Sequence, residues 1–419
     1  MSGRRIIAGN LLSLTVLQAV NYSLPLIMLP FLTRSLGISA YGTYALAMYW
    51  AGLARTVVAY GFDMTATRDV AACRDRPIEV GRLVCGIVSV RVTLAALVLG
   101  LALIMDQWAM ATSFRWITTS AVAISFGEAL APYWLFQGME QMYVVTAFRV
   151  AARVAWAAVI LLTVRCADDV IWVALSEALI SLVVGLAGLW FAVSKYSLAW
   201  VRPRAEEIIS HVKSGGGVLV SNLSVHGYTT ANVVILGCLW GSPSVAHYAI
   251  ADRIYSGVRG MLGPVVQSVY PALARVYSAD TGKYRRVART MLLWMSLALC
   301  VLAVATAAFS SGIVELIVGR SEPDATSALL AMSGALALAH GGLMSSLLII
   351  QNMTASLMRI TLAATLVNAA TIFPLCWWWG AAGTAASFAV SQAAQCFMQV
   401  RANSLVFSRS EPSAKTLIS

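Results

Sequence analysis

The sequence predicts an all-α membrane protein with about 12 transmembrane helices, six in each half of the chain. Charged residues make up only 11% of the 419 residues and hydrophobic residues 59%, which excludes a soluble globular domain. The apolar stretches reach the roughly 20 residues that a helix needs to cross the hydrocarbon core. Because backbone groups inside a membrane must bond to one another, stretches this long form helices, whereas barrel strands would alternate in short segments.

The spans are expected near residues 11–32, 43–65, 83–104, 116–136, 145–163, 170–193, 216–238, 246–270, 290–310, 326–350, 357–377 and 380–400. The first follows Arg4 and Arg5, as the apolar segment of a signal peptide does. It is too long for a signal peptide, however, and another span follows directly, so we expect it to be retained. The seven cysteines are scattered and form no disulfide framework or CxxC metal pattern.

The basic residues are distributed unevenly between the two sides of the predicted membrane. With the N-terminus in the cytoplasm, 21 of the 29 fall in cytoplasmic segments, among them Arg149 and Arg153, and three fall in the opposite loops. The positive-inside rule predicts this asymmetry, so we expect both termini to be cytoplasmic. The net charge of +11 therefore reflects membrane orientation and not a nucleic-acid partner.

The longest polar connection, residues 194–214, lies near the midpoint and divides the predicted spans six and six. We therefore predict an N-terminal bundle at 1–200 and a C-terminal bundle at 201–419. An even number of spans per half gives both halves the same orientation, so a repeat would be parallel. The pattern Tyr-Ala-x-Ala at 44–47 recurs at 248–251, an offset of 204, and Leu36-Gly37 matches Leu236-Gly237.

Arg55 and Arg259 stand inside apolar stretches, each 11 residues after the start of the repeated Tyr-Ala-x-Ala pattern. Neither has an acid within one helical turn in the sequence. An uncompensated guanidinium near the bilayer centre costs from about 2.5 to above 10 kcal/mol, depending on the reference state. Such a residue normally faces a protein interior or a wet cavity and marks a substrate or ion pathway. Two of them at equivalent positions predict one cavity between related halves.

Arg253 and Arg91 also lie within predicted spans. Arginine suits phosphate because its planar fork donates two parallel hydrogen bonds and stays charged. A cavity lined by several arginines would therefore hold an anion. The alternative is that these two residues serve packing, with Arg253 paired to the adjacent Asp252 and Arg91 to Glu128 on a neighbouring helix.

Asp63, Glu128 and His226 are titratable groups in or beside predicted spans, as are Glu177 and His340. Groups of this kind can bind a coupling proton or sodium ion. The alternative for each is a structural role in which a neighbouring residue satisfies it. The sequence leaves both interpretations open.

The predicted loops outside the membrane are all short, and the sequence holds no P-loop, GxGxxG, HExxH or CxxC pattern. Membrane glycosyltransferases and ligases generally need a larger extramembrane segment with a catalytic carboxylate or nucleotide site. We therefore expect neither an enzyme nor a bound cofactor, and ATP-driven transport within this chain is excluded as well. Secondary transport is the expected function.

Several motifs are distributed along the chain in a familiar order. They are Asn10-Leu11-x-Ser13, Gln18-x-x-Asn21-Tyr22, Leu29-Pro30-Phe31-Leu32-Thr33-Arg34-x-Leu36-Gly37, Tyr60-Gly61-Phe62, Pro132-x-Trp134-x-Phe136-Gln137-Gly138-x-Glu140, Tyr248-x-x-Ala251-x-Arg253 and Pro264…Gln267-x-x-Tyr270-Pro271. Together they resemble the Wzx-type flippases for O-antigen and related polysaccharides. The resemblance covers the first 150 residues and residues 215–275 most clearly.

This resemblance implies the fold of the multidrug/oligosaccharidyl-lipid/polysaccharide exporter superfamily, in which two six-helix bundles surround a central cavity. The implied substrate is an undecaprenyl-diphosphate-linked oligosaccharide, flipped from the cytoplasmic to the periplasmic leaflet of the bacterial inner membrane. Membrane lipids, a polysaccharide polymerase and chain-length machinery are the implied partners.

The resemblance also suggests roles for individual residues. Arg55, Arg253 and Arg259 would line the cationic lumen that receives the diphosphate, while Arg34 would lie at the periplasmic mouth. Gln137 and Glu140 would serve gating or packing at the cytoplasmic end.

Three other functions remain open at this point. A drug or cation antiporter of the same superfamily would need carboxylates in its lumen, which paired arginines disfavour. A noncatalytic scaffold of a polysaccharide assembly complex would use the buried arginines only for structure. A peptidoglycan-precursor flippase is the third, although the Gln-Gly-x-Glu motif fits the O-antigen flippases better.

Overall fold

The structure is a computed structural model that describes residues 2–108, 116–198, 201, 203–260, 262–351 and 353–408. Within these residues the regular elements are helices, without strands, so the predicted all-α class is confirmed. The cytoplasmic C-terminal tail predicted beyond residue 408 lies outside the described residues, as do residues 199 and 200 at the predicted bundle boundary.

The helices of the first half are α1 (Ser2–Ala59), α2 (Phe62–Cys73), α3 (Pro77–Trp108), α4 (Ile117–Val122), α5 (Ile124–Leu130), α6 (Tyr133–Gly138), α7 (Met142–Thr163) and α8 (Val170–Tyr196). Those of the second half are α9 (Ala205–Gly260), α10 (Leu262–Ala279), α11 (Thr281–Ala308), α12 (Ser310–Val318), α13 (Pro323–Ala337), α14 (Gly341–Ile350) and α15 (Thr354–Ser408). Eight stretches of the described chain are long and apolar enough to cross a membrane. The chain is therefore a multi-pass membrane protein.

Each of the three longest helices consists of two helices joined at a glycine with a non-helical backbone: Gly37, Gly241 and Gly380. In α15, Nδ2 of Asn368 donates to Oγ of Ser387 at 3.2 Å. A straight helix would hold residues 19 positions apart at a separation of about 28 Å. The chain therefore reverses at Gly380, where φ is +52°, a value that glycine adopts without a Cβ penalty.

The glycines at the first two reversals reveal the register of the repeat. Gly37 and Gly241 share a φ of +76° and stand 204 residues apart, the same offset as the Tyr-Ala-x-Ala pattern. The counterpart of Gly37 is therefore Gly241. The predicted match between Gly37 and Gly237 was wrong, because adjacent Leu-Gly pairs recur by chance in apolar sequence.

The two halves are in close contact beside these glycines, at what we call the Gly37 end of the molecule. A Cβ atom built on Gly42 would lie 1.8 Å from the carbonyl oxygen of Ser242. The hydroxyl of Thr43 donates to Oγ of Ser242 at 3.1 Å. Only a residue without a side chain at position 42 allows α1 and α9 to approach this closely.

A second contact between the halves lies at the other end of α1, which we call the Gly61 end. A Cβ atom on Gly215 would lie 2.7 Å from the carbonyl oxygen of Tyr60. Arg82 pairs with Glu207 at 3.3 Å, attaching the first turn of α9 to α3. The backbone N–H of Arg204 donates to Glu207 and, together with Arg82, lowers the pKa of this carboxyl below its usual range.

The stretch predicted as one span at 116–136 is broken into α4, α5 and α6. Pro132 lacks a backbone N–H and ends the helical pattern between α5 and α6. A Cβ on Gly127 would lie 2.2 Å from Oγ of Ser181, so α5 packs tightly on α8. The prediction of a continuous helix here was wrong, although the segment stays helical and buried.

Candidate functional site

A central cavity of about 320 Å³ lies between α1 and α9. Arg55, Arg253 and Arg259 all line it, so the structure brings together three arginines that the sequence singled out. Its other charged or aromatic lining residues are Asp252, His226, Tyr49, Tyr228, Tyr248, Tyr255 and Phe388. The arginines outnumber the single carboxylate among these residues, so the cavity carries positive charge when His226 is neutral.

Arg55 and Arg259 occupy equivalent positions in the two halves. Arg55 follows Gly37 by 18 residues, and Arg259 follows Gly241 by 18. Both lie in the last turn of their helices, since α1 ends at Ala59 and α9 at Gly260. The prediction of equal depth agrees with this geometry, but the prediction of a mid-span position was wrong, because both arginines lie near the Gly61 end.

Arg253 stands 12 residues after Gly241, and the residue at the same place in the first half is Tyr49. The hydroxyl of Tyr49 donates to Oδ2 of Asp252 at 2.7 Å across the interface of the halves. The nearby charged and phenolic groups that act on Arg253 are Tyr41, Tyr44, Tyr49 and Asp252. Asp252 is therefore shared between a tyrosine and an arginine, and it neutralises Arg253 only in part.

The partners of Arg55 and Arg91 differ from those expected. Nη1 of Arg55 lies 3.9 Å from Oε1 of Glu128, so Arg55 does have an acidic neighbour. Arg91, whose side chain is 4% exposed, lies 3.7 Å from Asp63 and not beside Glu128. The predicted Arg91–Glu128 pair was wrong, because the sequence shows that two groups are buried but not which helices are neighbours. Arg91 serves packing of α3 on α2.

A second, smaller cavity of about 80 Å³ lies inside the first half, and we call it the inner cavity. Its charged lining residues are Arg55, Arg149, Arg153, Glu128 and Glu177. Nη1 of Arg153 lies 2.9 Å from Oε1 of Glu177. The guanidinium of Arg149 lies over the ring of Tyr133 at 4.4 Å.

The sequence analysis placed Arg149 and Arg153 among the cytoplasmic basic residues, and that assignment was wrong. Both belong to α7 and point into the first half. Their spacing of four residues puts them on one helix face, which was the available signal.

Arg34 lies away from the central cavity, at the Gly37 end. Its guanidinium donates to the carbonyl oxygen of Leu316, in the last turn of α12, and packs beside Gly319. The C-terminal end of a helix carries partial negative charge, which favours a cation there. Arg34 therefore connects the first half to the second.

The Gln-Gly-x-Glu motif joins α6 to α2. The hydroxyl of Thr67 lies 3.4 Å from Oε1 of Gln137, and Arg74 pairs with Glu140 at 3.6 Å. A Cβ on Gly138 would lie 2.6 Å from a methyl group of Val70. These contacts favour the packing role over gating.

The three candidate coupling residues lie in different surroundings. His226 lines the central cavity, Glu128 faces Arg55 and Asp63 faces Arg91. Among the described residues, no cluster of three or more histidine, cysteine or carboxylate side chains could hold a metal ion.

Residues 7–277 match the model of a family described as "Polysaccharide biosynthesis protein". The chain belongs to this family. It is 24% identical over 375 residues to a "Putative O-antigen transporter" of Escherichia coli (strain K12), covering 87% of this chain and 89% of that protein. A "Putative O-antigen transporter" of Shigella dysenteriae is 24% identical over 267 residues, covering 64% of this chain and 67% of that protein.

Solved structures share the fold. The lipid II flippase MurJ in an inward closed conformation superposes with a TM-score of 0.71 at 12% identity, covering 94% of this chain and 87% of MurJ. A multidrug resistance MATE family transporter of the MOP superfamily, in an inward-facing conformation, gives 0.67 at 14% identity and covers 94% and 100%. Family and fold confirm the prediction of a membrane transporter of the polysaccharide flippase type, and not an enzyme.

Proposed function

We propose that this protein flips an undecaprenyl-diphosphate-linked oligosaccharide from the cytoplasmic to the periplasmic leaflet of the bacterial inner membrane. The observation that carries the proposal is the group of three arginines, Arg55, Arg253 and Arg259, in one cavity between the halves. Guanidinium groups bind phosphate oxygens through paired, charge-assisted hydrogen bonds. A diphosphate would neutralise charges that are otherwise costly to keep within a membrane.

A groove beside the cavity suits the lipid part of this substrate. It has a volume of about 360 Å³ and is lined by Thr15, Gln18, Tyr22, Leu26, Gly257 and Gly260. Tyr22 and Gly260 also line an adjoining cavity that includes Arg259. An apolar groove beside an arginine would let the diphosphate enter the protein while the polyprenyl chain stays in lipid.

The proposal includes a topology of 12 crossings with both termini cytoplasmic, and bundles at 1–200 and 201–419. Three of the eight membrane-spanning stretches contain a helix junction at Gly37, Gly241 or Gly380, and α4 to α6 would add one more crossing. In this orientation the Gly37 end is periplasmic and the Gly61 end cytoplasmic. Alternating access would separate the halves at each end in turn, coupled to a proton or sodium gradient through Asp63, Glu128 or His226.

Complementation of a flippase-null bacterial strain tests the proposal. We expect Arg55→Ala and Arg259→Ala each to lower surface glycan sharply at unchanged membrane levels, because each removes a donor from the cavity. Arg165→Ala is the matched control, since this arginine is exposed in the loop before α8. Surface glycan near the wild-type amount in both cavity variants would overturn the assignment and favour a scaffold.

An antiporter is distinguished by its cargo. A protein that exports cationic drugs would confer drug resistance on a sensitive strain, and neutralising the arginines would raise it. We expect no such resistance from the wild-type protein.

A further inference from the structure

Arg55 faces two compartments. It is the residue shared by the linings described for the central cavity and for the inner cavity of the first half. On the central side its neighbours in the lining include Arg253 and Arg259, and on the inner side they include Glu128. The same guanidinium can therefore be directed towards an anion in the central cavity or towards the carboxylate.

The contact between Arg55 and Glu128 is loose. Their closest nitrogen and oxygen atoms are 3.9 Å apart, which is beyond hydrogen-bonding distance. The side chain of Glu128 is 37% exposed. The neighbouring pair is different, because Arg153 and Glu177 are 2.9 Å apart and the Glu177 side chain is only 9% exposed. Glu177 is fixed by its partner, whereas Glu128 holds Arg55 weakly.

Glu128 also has other cations nearby if it loses Arg55. Arg149 and Arg153 line the same inner cavity, which holds three arginines and two glutamates. Removing one partner of an ion pair is strongly unfavourable when the other charge is left buried and uncompensated. Here Glu128 would keep cationic neighbours, so Arg55 can be released without stranding a charge.

We propose that Glu128 is a competing counter-ion that limits how tightly Arg55 holds the substrate diphosphate and so promotes its release. The inference rests on the proposed function. In the empty cavity Arg55 is attracted to Glu128, and in the loaded cavity it is attracted to the diphosphate. Binding then includes the loss of the Arg55–Glu128 attraction, which lowers affinity on loading and favours dissociation after the halves have moved. Glu128 is a positioning residue, because it acts through Arg55 without touching the substrate.

The test measures binding of inorganic pyrophosphate to the purified full-length protein in nanodiscs of phosphatidylcholine, by isothermal titration calorimetry without divalent cations. We expect Glu128→Gln to tighten binding about fivefold, the scale of a partly exposed ion pair. Glu128→Asp, which moves the carboxylate away from Arg55, should tighten it by less. The matched control is Glu79→Gln, an equal change in net charge at an exposed glutamate that pairs with Arg76.

A double-mutant cycle separates this mechanism from a general charge effect. In an Arg55→Gln background, Glu128→Gln should leave pyrophosphate affinity unchanged, because no shared arginine remains. A thermal unfolding scan on each variant shows whether it is folded, and Glu128→Asp replaces Glu128→Gln if the latter is not.

The outcomes distinguish the inference from the proposed function. If Arg259→Gln weakens pyrophosphate binding but Glu128→Gln behaves like Glu79→Gln, the counter-ion role is overturned and the anion cavity stands. The counter-ion role is also overturned if Glu128→Gln tightens binding equally with and without Arg55. If the wild-type protein does not bind pyrophosphate, or if neither Arg55→Gln nor Arg259→Gln weakens binding, both the cavity assignment and the inference fail.

Discussion

The contact at Gly42 makes the sharpest prediction about alternating access. A Cβ on this residue would lie 1.8 Å from a backbone oxygen of Ser242, whereas ordinary contacts begin at 3.4 Å, so Gly42→Ala forces α1 and α9 apart by about 1.6 Å. The obstacle is backbone and cannot rotate away. Overpacking of this kind costs about 1–3 kcal/mol, which would reduce the population closed at the Gly37 end by about 5- to 150-fold.

Thiol labelling measures this shift. In a variant without native cysteines, Thr229→Cys places a thiol in the central cavity, where a membrane-impermeant maleimide reaches it only when one end opens. We expect Gly42→Ala to increase labelling from the periplasmic side in spheroplasts and to lower glycan export. Gly100→Ala is the control, because a Cβ there meets no atom within 4 Å. Equal labelling in the two variants would refute closure at the Gly37 end as a step of transport.

Three further predictions concern single sites. Gly380→Ala should destabilise the purified protein by about 1–3 kcal/mol, because φ is +52° at the reversal of α15, and an unchanged unfolding midpoint would contradict this. Arg153→Ala should cost about 3 kcal/mol in denaturant unfolding because it strands the carboxylate of Glu177, and Arg153→Met combined with Glu177→Met should cost less; the reverse order would show that the pair is unimportant. Arg55→Lys should restore only part of the export lost in Arg55→Ala, because lysine keeps the charge without the bidentate fork, and full export would indicate that charge alone suffices.

The class of fold and the outline of the site could be predicted because they depend on features that are local in sequence. Composition and the length of apolar stretches require membrane helices, and an arginine such as Arg55 within such a stretch requires a protected place. The offset of 204 between matching patterns then put Arg55 and Arg259 at equivalent positions. The structure places both in one cavity.

The partners of these residues could not be predicted, because ion pairing depends on which helices are neighbours. Glu128 was assigned to Arg91, but the breaks between α4 and α6 orient it towards Arg55. Arg149 and Arg153 were counted with the cytoplasmic loops because a charge near the end of an apolar stretch usually faces water. Here the carboxylate of Glu177 on α8 compensates Arg153 within the bundle.

The repeat is symmetric in its backbone but not in its charges, and that asymmetry bears on how one cavity can both bind and release an anion. Arg55 and Arg259 are equivalent, yet the residue 204 positions after Glu128 is Met332, which is fully buried. The second half therefore supplies no carboxylate at the position that Glu128 occupies in the first. Arg259 would act as the constant anchor for the diphosphate and Arg55 as the exchangeable one. A site with two such anchors can retain its substrate while the halves move and still release it afterwards, because only one of the two arginines has a competing partner built into the protein.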